Sequence, residues 1–168
     1  GKGVTRIDWT AFTECTGLMA IGVSAANSVY DSLDGVLFNK NRTTLVACPG
    51  AKAGDYTIPG TITSIGPGAF AHCINLTSVT LHASATNIGY LAFASCTRLA
   101  GITVDPLNPV YSSVAGVLLD KSQTLLVAYP AGKPGSLTLP ASVAGIGYGA
   151  LEGCASIRAR PGSAAALA

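Results

Sequence analysis

Short apolar clusters recur along this chain, separated by a few small or polar residues. In residues 76–81 (LTSVTL) and 99–104 (LAGITV), apolar side chains occupy the first, fourth and sixth places. The last three places alternate between apolar and polar residues, as in a strand with one buried face. Residues 18–23 (LMAIGV) follow the same pattern. We therefore predict that these strands align in a parallel sheet with one face buried and the other open.

A second pattern has a cysteine at its centre. Residues 10–18, 68–76, 91–99 and 149–157 all read x-Ala-Phe/Leu-x-x-Cys-x-x-Leu/Ile. The cysteines are Cys15, Cys73, Cys96 and Cys154, separated by 58, 23 and 58 residues. Because all four have the same place in the pattern, we expect a column of small buried side chains, one in each regular coil.

A longer repeat contains these segments. Residues 27–49 resemble residues 108–130, and strand-like tetrapeptides follow at residues 56–59 (YTIP) and 137–140 (LTLP). When residues 5–76 are aligned with residues 86–157, an offset of 81, roughly 30 of the 72 paired positions are identical. Each unit divides into stretches of 23, 35 and 23 residues. A period of 23 is typical of leucine-rich repeats, whereas the longer stretch predicts a hairpin excursion with its turn near residues 39–42.

The repeats predict a mainly β fold, a right-handed leucine-rich-repeat solenoid with its parallel sheet on the concave side. We expect one domain over residues 4–160, with units at about 4–84 and 85–160 and a tail at 161–168. No coil can bury its apolar residues without a neighbouring coil. Since the chain starts and ends inside a repeat, we expect it to be a fragment of a longer protein. Its uncapped coils could also associate end to end.

Two segments carry a family resemblance. Residues 64–81 (SIGPGAFAHCINLTSVTL) and 87–104 (NIGYLAFASCTRLAGITV) resemble the BspA-type leucine-rich repeat. The similarity covers about residues 4 to 157, although Leu151 replaces the usual phenylalanine in the last copy. The resemblance implies a curved β solenoid on a bacterial or protist cell-surface protein, some of which are adhesins. It therefore implies an extracellular or cell-surface location, here bacterial, and brings no catalytic residues.

Composition and charge exclude several classes of function. Charged residues make up only 11% of the chain, the net charge is +2, and the basic residues are scattered, so nucleic-acid binding is not expected. No apolar run approaches the roughly 20 residues of a membrane-spanning helix. The cysteines lack C-x-x-C spacing, and His72 and His82 lie ten residues apart, so we expect no metal site, no cofactor and no catalytic cluster. Cys48, replaced by Tyr129 in the second unit, is the cysteine most open to exposure or reaction, although burial is favoured.

Two surfaces remain as candidates for partner binding. The open face of the sheet is expected to present small, nearly uncharged residues: Ala20, Ser78, Thr80, Gly101 and Thr103. Trp9, Tyr90 and Tyr148 share one place in the repeat and could form an exposed aromatic ridge. Packing of these rings against adjacent coils is the slightly favoured alternative. The leading hypothesis is a non-catalytic protein-interaction or adhesion module for a protein or glycan. A structural spacer without a specific ligand is the second hypothesis, and an enzyme is a distant third.

Overall fold

The computed structural model describes residues 1–137 and 139–155. This part of the chain is a β-solenoid of about four turns without a helix, as the repeats predict. Its strands are β1 Tyr30–Leu33, β2 Val36–Asn39, β3 Thr44–Ala47, β4 Ala53–Thr57, β5 Ser64–Ile65, β6 Asn75–Leu81, β7 Asn87–Ile88, β8 Gly101–Val104, β9 Tyr111–Val114, β10 Val117–Asp120, β11 Leu125–Ala128 and β12 Gly145–Ile146. The predicted tail at 161–168 and Ile157 of the last cysteine segment lie outside the described residues.

A three-stranded parallel sheet is formed by β4, β6 and β8, in that order. The strands predicted at residues 76–81 and 99–104 are therefore confirmed, with β8 starting two residues late. The strand predicted at residues 56–59 begins and ends earlier, as β4. Residues 137, 139 and 140 form no strand, and Thr138 lies outside the described residues.

The prediction of a strand at residues 18–23 was wrong, because these residues form no strand. These residues lie beside the turn of the first hairpin, and the amide of Ile21 donates a hydrogen bond of 2.8 Å to the carbonyl of Gly35. A hairpin turn offers only a point of contact, whereas a strand offers a ladder of donors and acceptors. The apolar pattern is therefore present here without the pairing that makes a strand.

The hairpin excursion is confirmed in both units. Strands β1, β2 and β3 form an antiparallel meander, and β9, β10 and β11 repeat it 81 residues later. The first meander turns at residues 40–43, where the side-chain oxygen of Asn39 accepts hydrogen bonds from the amides of Thr43 and Thr44 at 2.8 and 2.9 Å. Each meander then continues as parallel pairs, β3 with β5 and β11 with β12. The last strand of each meander is thus hydrogen-bonded to the following coil, so the meander is part of the solenoid.

The core runs along the axis of the solenoid. Its largest cluster contains one buried apolar side chain after another from successive coils, including Leu76, Val79, Leu81, Leu99 and Ile102. Each such side chain contributes about 1.5–3 kcal/mol relative to an exposed one. Since the residues of β6 and β8 that face inward alternate with polar ones, the same strands that fill the core also create the open face of the sheet.

Close backbone contacts between coils require glycine at Gly116, which lies beside β8, and at Gly89, which follows β7. Gly116, at φ 82°, forms the turn of the second hairpin, and a Cβ there would lie 3.1 Å from the Cα of Gly101 in β8. A Cβ on Gly89 would lie 2.7 Å from the Cα of Pro67 in the neighbouring coil. These distances are shorter than ordinary van der Waals contact, so the absence of a side chain sets how closely the coils stack.

Candidate binding surfaces

The open sheet face is built from two rows of side chains. The strand register places Asp55, Ser78 and Gly101 side by side in one row. Thr57, Thr80 and Thr103 form the next row. Thr57 and Thr103 are exposed, while Ser78 and Thr80 are half-buried. The structure therefore brings together four of the five residues expected on this face.

Ala20, the fifth residue, lies elsewhere. It is exposed but outside the three-stranded sheet, and a Cβ on Gly35 of the first hairpin turn would lie 2.8 Å from its side chain. Gly101 also contacts a hairpin turn, through Gly116. Each hairpin folds back onto a coil of its own unit. The turn of the first hairpin therefore contacts Ala20, and the turn of the second contacts Gly101.

Asp55 is the one charge within these rows, and the sequence reasoning missed it. Its Oδ1 accepts hydrogen bonds from the hydroxyls of Thr77 and Ser78, both at 2.7 Å. Both bonds stabilise the ionised form and lower the pKa of the Asp55 carboxyl, and the bond from Thr77 contributes most. The alternation of β4 carries the signal that could have found it, since Asp55 stands two residues before Thr57 on the same face.

The aromatic residues form a continuous ridge across the coils. The ring centroids of Trp9 and Tyr90 lie 5.4 Å apart at an interplanar angle of 79°, and those of Tyr90 and Tyr148 lie 6.3 Å apart at 77°. All three side chains are exposed, from 38% for Trp9 and 48% for Tyr90 to 79% for Tyr148. The rings thus pack edge to face on one another and still present area to solvent.

The cysteine column is confirmed in its middle and wrong at its start. Cys73 and Cys96 are fully buried, and Cys154 is half-buried. Each thiol is close to a carbonyl of the preceding coil: Cys73 to Cys48 at 3.6 Å, Cys96 to Phe70 at 3.0 Å and Cys154 to Tyr129 at 3.4 Å. Cys15 is exposed, because in the described structure no coil lies on that side of it. Cys48 is buried, as favoured, but the prediction that it is the cysteine most open to exposure was wrong, since Cys15 is the exposed one.

The thiols should differ sharply in reactivity. Burial raises the pKa of Cys96, and the neighbouring Cys48 side chain, together with burial, raises that of Cys73. Because the thiolate is the reactive form, we expect an aromatic disulfide reagent to modify Cys15 within minutes in the native protein. Cys73 and Cys96 should react only after denaturant is added. Mass spectrometry of the labelled peptides measures this order, and rapid native labelling of Cys96 would contradict the packing described here.

Residues 1–137 and 139–155 contain no group of three or more His, Cys, Asp or Glu side chains that could hold a metal ion. They also contain no helix long and apolar enough to cross a membrane. His72 and His82 lie in separate turns, and the carbonyl of His82 accepts a hydrogen bond from the side chain of Asn108.

Together, the stacked coils, parallel sheet and interior cysteines define a class: the chain is a leucine-rich-repeat β-solenoid. Part of the chain also matches a family model. Residues 47–111 match the model of the BspA type leucine rich repeat region (6 copies), so these residues carry BspA-type leucine-rich repeats, as the resemblance implied.

Solved structures provide the second comparison. A leucine rich cell surface protein from Faecalibacterium prausnitzii has 26% sequence identity and a TM-score of 0.60, over 88% of this chain and 36% of that one. A leucine-rich repeat protein from Eubacterium ventriosum has 23% identity and a TM-score of 0.43, over 55% of this chain and 37% of that one. The pneumococcal vaccine antigen PcpA has 24% identity and a TM-score of 0.47, over 55% and 29%. The chain thus spans about a third of the length of these proteins, and no curated protein matches its sequence.

Proposed function

We propose that this chain is a non-catalytic binding module of an extracellular or cell-surface bacterial protein. The contact surface is the open face of β4, β6 and β8, and its partner is a protein or a glycan. The single observation that carries the proposal is the pair of side-chain rows across the three strands, Asp55–Ser78–Gly101 and Thr57–Thr80–Thr103. The name of the Faecalibacterium prausnitzii protein, a leucine rich cell surface protein, supports the location.

The chemistry of this face suits a partner that contributes hydrogen bonds. Its hydroxyls can donate and accept, and they are short, so little side-chain entropy is lost when a partner orders them. Only Asp55 carries a charge, and its carboxylate already accepts two hydroxyl hydrogen bonds. Docking therefore depends on fit and hydrogen bonding more than on long-range attraction.

Three lysines on this face should abolish partner binding. We expect Ser78→Lys, Thr80→Lys and Thr103→Lys together to remove binding in a panel of purified matrix proteins and glycans, measured by surface plasmon resonance. Long charged side chains would prevent close approach to the strands. The melting temperature should change by only a few degrees, since these side chains point away from the core.

A matched variant controls for the added charge. Asn41→Lys, Thr61→Lys and Ala141→Lys place three lysines at exposed positions in turns outside the sheet. This variant should bind as the unmodified chain does. Binding retained by the sheet variant would move the contact to another surface. Absence of any binding by the unmodified chain would overturn the proposal and favour the structural spacer.

A further inference from the structure

A cavity of about 210 Å³ is lined by residues from three segments of the second unit, within 88–93, 125–129 and 147–152. Tyr90, Tyr148 and Leu125 are among the residues that line it. Glu152 also lines it, and is the one charged residue among the described residues that do so. Glu152 is exposed, and it follows Tyr148 by four residues in the turn that starts at Gly149. The cavity thus combines aromatic walls with a single negative charge.

The two rings meet as the walls of a corner. Their planes are inclined by 77° with centroids 6.3 Å apart, so one ring presents its edge to the other and leaves ring surface open to solvent. Tyr148 is 79% exposed, and Leu125 is 40% exposed. Exposing apolar side chains next to one another is unfavourable in water, and such groups are common at contact sites between proteins.

The first unit offers an internal comparison, because it has the same fold without this chemistry. The counterparts of Tyr90, Tyr148 and Glu152 are Trp9, Pro67 and Ala71, at the offset of 81. The framework around them is retained, as Gly66, Gly68 and Ala69 match Gly147, Gly149 and Ala150. In the first unit the indole of Trp9 lies over Gly68, where a Cβ would be 2.9 Å from the indole Cε3. The backbone therefore does not require the tyrosines or the glutamate.

We propose that this cavity, the tyrosine corner, binds an arginine side chain of a partner protein. A guanidinium is planar and weakly hydrated, so it stacks on an aromatic face and can pair with a carboxylate at the same time. Glu152 supplies that carboxylate, and no basic residue is among the described residues that line the cavity. The inference rests on the proposed function and names the partner chemistry of a second contact, on a different surface from the sheet face.

The test uses the purified full chain and a small probe, N-acetyl-arginine N-methylamide. Binding is followed by amide chemical shifts of Tyr90, Tyr148 and Glu152, and by the fluorescence of Trp9, the single tryptophan, whose ring contacts Tyr90. We expect a Kd on the order of millimolar, weakened by salt, as for one cation on an exposed aromatic site. The neutral citrulline analogue should bind at least fivefold more weakly.

Two variants test the residues of the cavity, one by introducing the residue of the first unit and the other by removing only a charge. Tyr148→Pro introduces the residue found at position 67, and Glu152→Gln neutralises the carboxylate. Each should weaken probe binding about fivefold or more without changing the melting temperature by more than a few degrees. Glu14→Gln makes the same change of net charge at the other glutamate, outside the cavity, and should leave binding unchanged.

Several outcomes would overturn the tyrosine corner as an arginine site. The first is binding of the citrulline analogue as tight as that of the arginine probe, and the second is unchanged probe binding in both cavity variants. The third is binding of methyl β-glucoside that Glu152→Gln weakens, which would assign the cavity to a glycan. The sheet variant with three lysines should bind the arginine probe as the unmodified chain does. A failed probe titration therefore leaves the sheet-face proposal standing, and partner binding retained by the sheet variant leaves the cavity proposal standing.

Discussion

Replacing Asn108 with alanine is expected to lower the free energy of unfolding by about 4 kcal/mol, from backbone groups left without partners at about 1–3 kcal/mol each. The Asn108 side chain is fully buried and makes four hydrogen bonds. Its amide nitrogen donates to the carbonyls of His82 and Ala85 at 3.0 and 2.8 Å. Its oxygen accepts from the amides of Val110 and Tyr111 at 2.9 and 2.8 Å. One side chain therefore holds the turn of one coil against the start of the next, and urea denaturation measures its contribution.

Asn27 provides the matched control. It makes the same four bonds in the first unit, donating to the carbonyls of Gly1 and Val4 at 3.0 and 2.9 Å. Those two residues are exposed, so water can replace the lost side chain there. We expect Asn27→Ala to cost less than half as much as Asn108→Ala. Equal costs for the two variants would mean that the hydrogen bonds across buried coils are not what makes Asn108 important.

The sequence predicted the features that follow directly from periodicity. The offset of 81 predicted that the hairpin meander would recur, and β1 to β3 do recur as β9 to β11. The alternation in residues 76–81 predicted both the buried face of β6 and the position of Ser78 and Thr80 on the open one. These predictions succeed because a solenoid repeats both its backbone path and its buried positions in every unit.

Periodicity gives the place of a residue within its repeat, but it does not give the side chains that surround that residue in the fold. The features that the sequence did not predict correctly depend on those surroundings. Cys15 has the same phase as Cys73, yet it is exposed because no coil in the described structure covers it. Asp55 reaches Ser78 only through an irregularity in the strand register between Gly54 and Asp55, which no pattern of apolar residues reveals. The corner between Tyr90 and Tyr148 likewise depends on side-chain orientation, which the sequence does not state.

The second large effect is expected in the core. Replacing Phe70 with alanine should lower the free energy of unfolding by about 3–5 kcal/mol, because a buried ring is lost and a cavity remains. Phe70 is fully buried, and its ring stacks on that of Phe93 at 5.3 Å and 9°. Tyr56 contacts it from another coil, with ring centroids 5.8 Å apart. The ring thus links three coils, and thermal or urea denaturation measures the loss.

Phe70→Leu is the control that the chain itself offers, since Leu151 holds the same place in the second unit. Leucine keeps most of the buried apolar area, so this variant should cost about 1 kcal/mol. Because each coil is stabilised mainly by its neighbours, Phe70→Ala should also increase amide hydrogen exchange in β4 and β8, the strands on either side of β6 in the sheet. Exchange that rises only next to residue 70, or equal costs for leucine and alanine, would contradict a core shared continuously between coils.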